Sequence, residues 1–350
     1  MSAAQITVEG SVREPLHAFL RERAGPCVFL CDAAVAEKTR SLARGFPSSL
    51  GVHAFGLGER RKTLATVEDV LQSLLRAGAD RHTTVVGAGG GVASDVFGFA
   101  AAIYMRGVPY VHVATTLVAM VDAAIGAKTG VDLPGGKNLA GTFRDPQAVF
   151  AWVDALRTLP YRHLREGLAE VVKHAIIEGD ELFDSLETLC PHPFWRWPWE
   201  TLVARAQQVK IAIVNDDRTE QGMRETLNLG HTFGHGIETA SRYRVSHGAG
   251  VSVGLRAAGL LALRTGRFSR EEHLRILTLL ALLRMPAVTS VPPDAVWNAM
   301  QSDKKKRDGR LRFVLPRSIG DVEYGVHVAD RTVQAVLKDL QTVPGGREFR

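Results

Sequence analysis

The 350-residue chain has little cysteine. Cys27, Cys31 and Cys190 are too few for a disulfide framework, which excludes a small stapled scaffold. Cys27 and Cys31 flank a strand-like "VFL" and read as small buried hydrophobes. No apolar run reaches the roughly 18–20 residues a membrane helix needs. The opening "MSAAQITVEGSVREP" has no basic region followed by an apolar stretch, so no secretory signal is expected. Aromatic residues make up 7% and are not interleaved with the basic ones, which argues against a stacking platform for nucleic acid. Internal repeats and low-complexity tracts are lacking too. The expectation is a cytoplasmic globular protein with neither membrane nor nucleic acid as partner.

What is present is an ordinary globular composition, 45% hydrophobic and 23% charged, with a net charge of +6. The basic residues are dispersed except in "SDKKKRDGRLR", Ser302 to Arg312. Dispersed positive charge suits a cleft for small anions. The first half alternates strands and helices. "CVFLCD" (27–32), "VHAFGLG", "TTVVGAG" and "YVHVATT" read as strands, and "LATVEDVLQSLLRAGA" is an amphipathic helix. This alternation predicts a parallel sheet with helices on both faces. From about Tyr161 apolar residues recur at helical spacing, and strand signals are nearly absent until "RLRFVLP" (311–316). "CPHPFWRWPWE" (190–200) reads as an inter-helix loop with packing anchors. The expected division is an α/β domain over 1–158 and a mainly helical domain over 159–350. A site between two such domains is the default expectation.

Four glycines in "VVGAGGGVASD" (85–95) follow a strand and precede a helix, where backbone can approach a ligand and a helix N-terminus favours phosphate. The segment is neither the G-x-G-x-x-G fingerprint nor a P-loop. In "LVAMVDAAIGAKTGVDLPGGKN" the charged Asp122, Lys128, Asp132 and Lys137 sit with Asn138 among small and apolar residues, where burial is costly unless they are paired or bound to a ligand. A solvated loop is the alternative. "GLAEVVKHA" sets Glu170 and Lys173 three apart amid apolar neighbours. In "RETLNLGHTFGH", His231 and His235 are four apart and share a helix face. Thr232 stands where the zincin motif needs Glu, so that metalloprotease reading fails. The histidines are metal ligands or packed, hydrogen-bonded core residues. Two His with one Glu form a known catalytic zinc set.

Together "GERRK", "GGGVASD", "YMRG", "TTLVAMVDAAIGAKTGVD", "GKN", "GLAEVVK", "RETLNLGHTFGH", "SHG" and "DKKKRDGRLRFVLPRSIG" resemble the dehydroquinate synthase family of sugar phosphate cyclases, over nearly the whole chain. The resemblance implies an α/β NAD-binding domain with a parallel sheet followed by a helical metal- and substrate-binding domain. It implies one NAD and one zinc or cobalt ion, which suit the same ligands. Glu170, His231 and His247 would hold the metal, and His235 would lie beside the substrate phosphate. NAD would follow Gly89, Gly90 and Gly91 with Asp95, and meet Asp32, Glu59, Lys62, Thr115, Thr116, Asp122, Lys128, Lys137 and Thr158. The phosphate of 3-deoxy-D-arabino-heptulosonate 7-phosphate would meet Lys128, Asn138, His235, Lys304 or Lys305, and Arg106 from a second subunit of a homodimer. Lys210 and Arg224 would hold its carboxylate, with Asp122, Lys173 and Asn228 near the hydroxyls. A phosphate plus a carboxylate need several nearby cations.

The implied reaction runs through transient oxidation by NAD at C5, loss of the acidified C6 proton with elimination of the phosphate carried on C7, re-reduction, ring opening and an aldol closure to 3-dehydroquinate. The enzyme is thereby a lyase. Four positions depart from the family pattern: Ser94, Ala114, Met120 and His163, each near an NAD contact. Two rival enzymes remain at this stage. One is a cyclase such as an aminodehydroquinate synthase. The other is a metal-dependent glycerol dehydrogenase-type enzyme, which needs no phosphate-binding lysines.

Overall fold

The computed structural model describes residues 4–218, 220, 222–304 and 310–341. In the first half the elements are β1 (Gln5–Glu9), α1 (Arg13–Glu22), β2 (Cys27–Asp32), α2 (Ala36–Ala43), β3 (Ser49–Phe55), α3 (Leu64–Arg76), β4 (Thr84–Gly89), α4 (Gly91–Ile103), β5 (Tyr110–Ala114), β6 (Lys128–Leu133), β7 (Gly136–Phe143) and β8 (Ala148–Trp152). Then follow α5 (Tyr161–Glu178), α6 (Asp180–Leu189), α7 (Trp199–Asp216), α8 (His231–Ala240), α9 (His247–Arg264), α10 (Arg270–Leu282), α11 (Pro293–Lys304), β9 (Phe313–Ser318), β10 (Asp321–Val326) and α12 (Asp330–Asp339). The chain forms two compact units, Met1–Leu164 with Trp199–Gln207, and Arg165–Pro198 with Gln208–Arg350. No helix among the described residues is long and apolar enough to cross a membrane.

The first unit is built on a six-stranded sheet ordered β1-β8-β5-β4-β2-β3, parallel throughout. A parallel sheet covered on both faces needs strands that are apolar on both sides. β2 meets this need, with Cys27 to Cys31 all buried. Successive side chains then go to opposite faces. Val28, Leu30 and Val85 pack with Val67, Val70 and Leu74 of α3 and Val96 and Phe97 of α4. Cys27, Phe29, Cys31 and Val86 pack with Leu16 and Phe19 of α1 and Leu42 of α2. The expected parallel sheet with helices on both faces is what forms.

Four strands carried too little signal to be read from sequence: the short edge strand β1, its partner β8, and β6 and β7 of an antiparallel hairpin. That hairpin contains the charged "KTGVDLPGGKN" stretch (128–138) and runs on to Phe143. Gly130 and Gly141 face each other across it, and a Cβ on Gly141 would stand 2.2 Å from the Thr129 carbonyl oxygen.

Among the described residues the elements of the second unit are helices and the antiparallel strand pair β9–β10. α8 and α9 meet at a seam of glycines. A Cβ on Gly254 would lie 2.0 Å from the Gly230 carbonyl oxygen, and one on Gly234 would lie 3.0 Å from the Gly250 carbonyl carbon. The index rises by four on α8 as it falls by four on α9, so the helices run antiparallel, backbone against backbone. At the start of α9, Gly248 abuts Glu166 of α5, where a Cβ would come 2.3 Å from its Cα. Three helices therefore converge at His247.

Candidate functional site

Convergence at the glycine seam gathers a cluster of ionisable side chains in the helical unit. Glu170 on α5 is fully buried, and His231 opens α8 with 8% exposure. His247 opens α9. Nε2 of His247 lies 3.0 Å and Nε2 of His231 lies 3.5 Å from the same oxygen, Oε1 of Glu170. Donor atoms of the three residues all lie within 4.8 Å of one another. The Nδ1 atoms are engaged elsewhere. His231 Nδ1 donates to the Leu229 carbonyl at 3.1 Å, and His247 Nδ1 donates to Glu238 Oε1 at 2.9 Å. Each Nε2 is thus the nitrogen turned toward Glu170, the arrangement a metal-binding imidazole needs. Two imidazoles and one carboxylate fit zinc or cobalt with a position left open.

Electrostatics follow from burial and pairing. Burial alone would raise the Glu170 carboxyl, but the Lys173 ammonium, 2.6 Å away, and the two histidines hold it well below the usual carboxylate range. Burial would lower His247, yet its hydrogen bonds to Glu170 and Glu238 push it up to about 10. In the metal-free protein this imidazole keeps a proton between two carboxylates, and a metal ion must displace it.

The other residues expected in this unit occupy defined places. His235 is exposed, its ring 5.2 Å from that of His231 and 6.0 Å from that of His247. Lys210 and Arg224 are 8% and 3% exposed. Arg224 donates from its guanidinium to the Arg218 carbonyl at 2.8 Å, and its backbone N–H meets Asp217 at 3.1 Å. Asn228 donates to Glu220 at 3.3 Å. Lys305 and the side chain of Lys304 lie outside the described residues.

In the sheet unit the strand order reverses at β2: β3 lies on one side, and β4, β5 and β8 on the other. Ligands of open parallel sheets bind at the carboxyl ends of strands beside such a switch. Asp32 ends β2, Gly89 ends β4, and Thr115 follows β5, its N–H on the Gly89 carbonyl at 2.9 Å. Protein crowds the three glycines. A Cβ on Gly89 would meet Ala93 at 2.5 Å, one on Gly90 would meet Thr116 at 3.1 Å, and one on Gly91 would meet Ala123 at 3.2 Å. Gly90 caps α4 without a side-chain hydrogen bond, which leaves the first N–H groups of that helix for an anion.

A second cluster pairs expected ligand residues with one another. Lys62 lies 2.6 Å from Asp95 and donates to Asn138 at 2.5 Å, and Lys137 lies 2.6 Å from Glu59. Asp132 accepts from the Asn138 N–H at 2.8 Å. Asp122 lies in a π-helical turn, Ala119–Ala123, and Lys128 is exposed, 6.0 Å from the centroid of Phe143. Thr158 accepts from Lys38, and exposed Arg106 sits in a left-handed turn at φ 66°. Of the four departures, Ser94 donates to the Gly90 carbonyl at 3.3 Å, buried Ala114 ends β5, the Met120 carbonyl accepts from Gln207 at 2.8 Å, and His163 accepts from Arg162 at 3.2 Å. Sequence reading missed Glu238. It follows His235 by three residues in a helix that also holds two histidines and two threonines, so nothing local singles it out.

The chain matches the 3-dehydroquinate synthase N-terminal family over residues 53–166 and the C-terminal family over 167–306. A 3-dehydroquinate synthase of Microcystis aeruginosa is 41% identical over 83% of this chain and 81% of its own. A solved 2-epi-5-epi-valiolone synthase from Streptomyces hygroscopicus, with NAD+ and Zn2+ bound, superposes with a TM-score of 0.89 at 30% identity over 97% of both chains. A 2-deoxy-scyllo-inosose synthase complexed with carbaglucose-6-phosphate, NAD+ and Co2+ gives 0.84 at 25% identity, over 95% of this chain and 96% of its own.

Proposed function

The chain belongs to the 3-dehydroquinate synthase family, and from that premise we propose how its own residues serve the reaction. It is a lyase that converts 3-deoxy-D-arabino-heptulosonate 7-phosphate into 3-dehydroquinate and phosphate, within aromatic amino acid biosynthesis. The observation that carries this reading is the buried set of Glu170, His231 and His247, with both Nε2 atoms turned toward one carboxylate oxygen. These three would hold zinc or cobalt, which when bound supplies a Lewis acid that makes a substrate hydroxyl more acidic. NAD would lie along Gly89–Gly91 and supply reversible hydride transfer.

The chain's own contributions follow from its geometry. The glycine turn admits the cofactor backbone-close, and the open N–H groups of α4 meet its pyrophosphate. Asp32, at a strand end beside them, accepts from a ribose hydroxyl. Lys62, held by Asp95, keeps the β6–β7 hairpin and its Asn138 in place. Arg224 and Lys210, both buried, bind the substrate carboxylate, a guanidinium and an ammonium group suited to charge-assisted hydrogen bonds with it. Lys173 holds Glu170 in one rotamer through their 2.6 Å pair and shares the substrate hydroxyls with Asp122 and Asn228. His235 and Lys128, both exposed, meet the phosphate and stabilise its departure. The working form is a cytoplasmic homodimer in which Arg106 of one subunit serves the other, and light scattering of the purified protein tests the dimer.

The deciding assay supplies 3-deoxy-D-arabino-heptulosonate 7-phosphate with zinc and catalytic NAD. Phosphate and 3-dehydroquinate should appear in equal amounts with no net NADH. Turnover only of an amino or uncarboxylated analogue would move the chain to another branch of the cyclases. NADH accumulating from a simple polyol would sink the reading altogether.

A further inference from the structure

We infer that Glu238 is a positioning residue that fixes which nitrogen of His247 faces Glu170 and thereby sets the affinity for the metal. This rests on the metal site proposed for Glu170, His231 and His247. The three candidate ligands are not held alike. The side chain of Glu170 is 0% exposed and that of His231 is 10% exposed, whereas 36% of His247 is open. Backbone orients His231 through the Leu229 carbonyl. His247 is the first residue of α9, after an N-cap serine whose side chain makes no capping bond. Packing on an open side cannot choose between the two ring flips of an imidazole.

Glu238 makes the choice. It is 2% exposed on α8, and its Oε1 accepts from His247 Nδ1 at 2.9 Å while Nε2 stands 3.0 Å from Glu170. A flipped ring would put carbon at both places. The carboxylate reaches His247 along the glycine seam: a Cβ on Gly250 would come 3.2 Å from Glu238 Cγ and 3.4 Å from Oε1. A carboxylate bonded to the far nitrogen also makes an imidazole a better donor. Glu238, His235 and His247 also form a second donor group within 4.8 Å, so the rival role for Glu238 is that of a ligand.

The test measures zinc affinity of the metal-free, full-length protein by competition with a chromophoric chelator. Glu238→Gln keeps an acceptor of the same shape but not the charge, and should bind on the order of tenfold more weakly. Glu238→Leu keeps the bulk without an acceptor and should lose on the order of a hundredfold. Affinity of E238L within about twofold of the parent overturns the inference, and so does E238Q as weak as E238L, which is the behaviour of a lost ligand. Should E238L fail to fold, E238Q decides alone: a loss near tenfold supports the role, and a loss within about twofold or beyond about a hundredfold overturns it. Glu170→Gln is measured alongside. If it binds zinc as tightly as the parent, the ligand assignment is wrong, a failure separate from that of Glu238.

Discussion

His112 on β5 of the sheet unit is buried, whereas His247 at the start of α9 in the helical unit has 36% of its side chain open. His112 is 3% exposed, its Nδ1 has no hydrogen-bond partner among the described residues, and its ring meets Tyr110 edge-on at 5.2 Å. Burial pushes it down to about 4, so it is neutral filling. His247 stands between two carboxylates, which push it up to about 10. One residue type behaves in two ways because its neighbours differ. The sheet unit offers a ligand backbone and strand ends, with Lys62 and Lys137 paired to Asp95 and Glu59. The helical unit concentrates charge in low dielectric, where each pair is strong and each orphan expensive. The chemistry assigned to each unit matches: cofactor held by glycines in one, metal and anions in the other.

The sharpest way to break this contrast is Glu170→Gln. It removes the charge that both histidines and Lys173 answer. Turnover should fall at least about a thousandfold, the several kcal/mol of Lewis-acid stabilisation, while NAD affinity stays close to the parent's. Equal losses of both would mean that the two units do not divide the work. Next in size is Gly254→Ala. Its methyl would meet the Gly230 carbonyl, which is backbone and cannot rotate away, so denaturant melts should show a loss of about 3 kcal/mol or more.

The histidines predict opposite pH responses. His112 has a folded value below its unfolded 6.5. As pH falls the unfolded chain takes the proton first, so its contribution is intact above pH 6.5 and is lost between there and 4, about 3 kcal/mol in all. His247 is raised, so in the metal-free protein its contribution is complete below 6.5 and is lost as pH rises through about 10. Histidine ring resonances followed by NMR check both: His112 should stay neutral to near pH 4, and His247 charged to well above pH 8. The smallest effect is expected of Gly98→Ala in the sheet unit. There the obstacle is the Thr129 methyl at 2.5 Å, a side chain that can shift, and about 1 kcal/mol should be lost. A loss as large as that at Gly254 would show that the β6–β7 hairpin is as unyielding as the glycine seam.

Legibility varied by element. β2, β4 and β5 could be read because a doubly covered parallel strand is apolar on both faces. The β6–β7 hairpin could not, because polar residues and glycines interrupt its apolar ones, and it is held by Lys62 and Asp132 through Asn138 and by packing on α4. β1 and β8 are five residues each and pair across most of the first unit, a distance that no local pattern reports. At the site, Glu170, His231 and His247 were legible only by resemblance, since two of them meet across 77 positions. Glu238 was not legible at all, since its partner is chosen by how α8 lies against α9.

By itself the sequence determined the alternation that builds the sheet, the helical second half, the glycine turn and the inventory of imidazole, carboxylate and ammonium groups, because these depend on neighbours a few residues apart. Only the tertiary structure decided which nitrogen of each histidine faces Glu170, which carboxylate backs His247 and which cations are buried. Those outcomes depend on helices brought to backbone contact at Gly230, Gly234, Gly250 and Gly254, and no local periodicity encodes the angle at which two glycine faces meet.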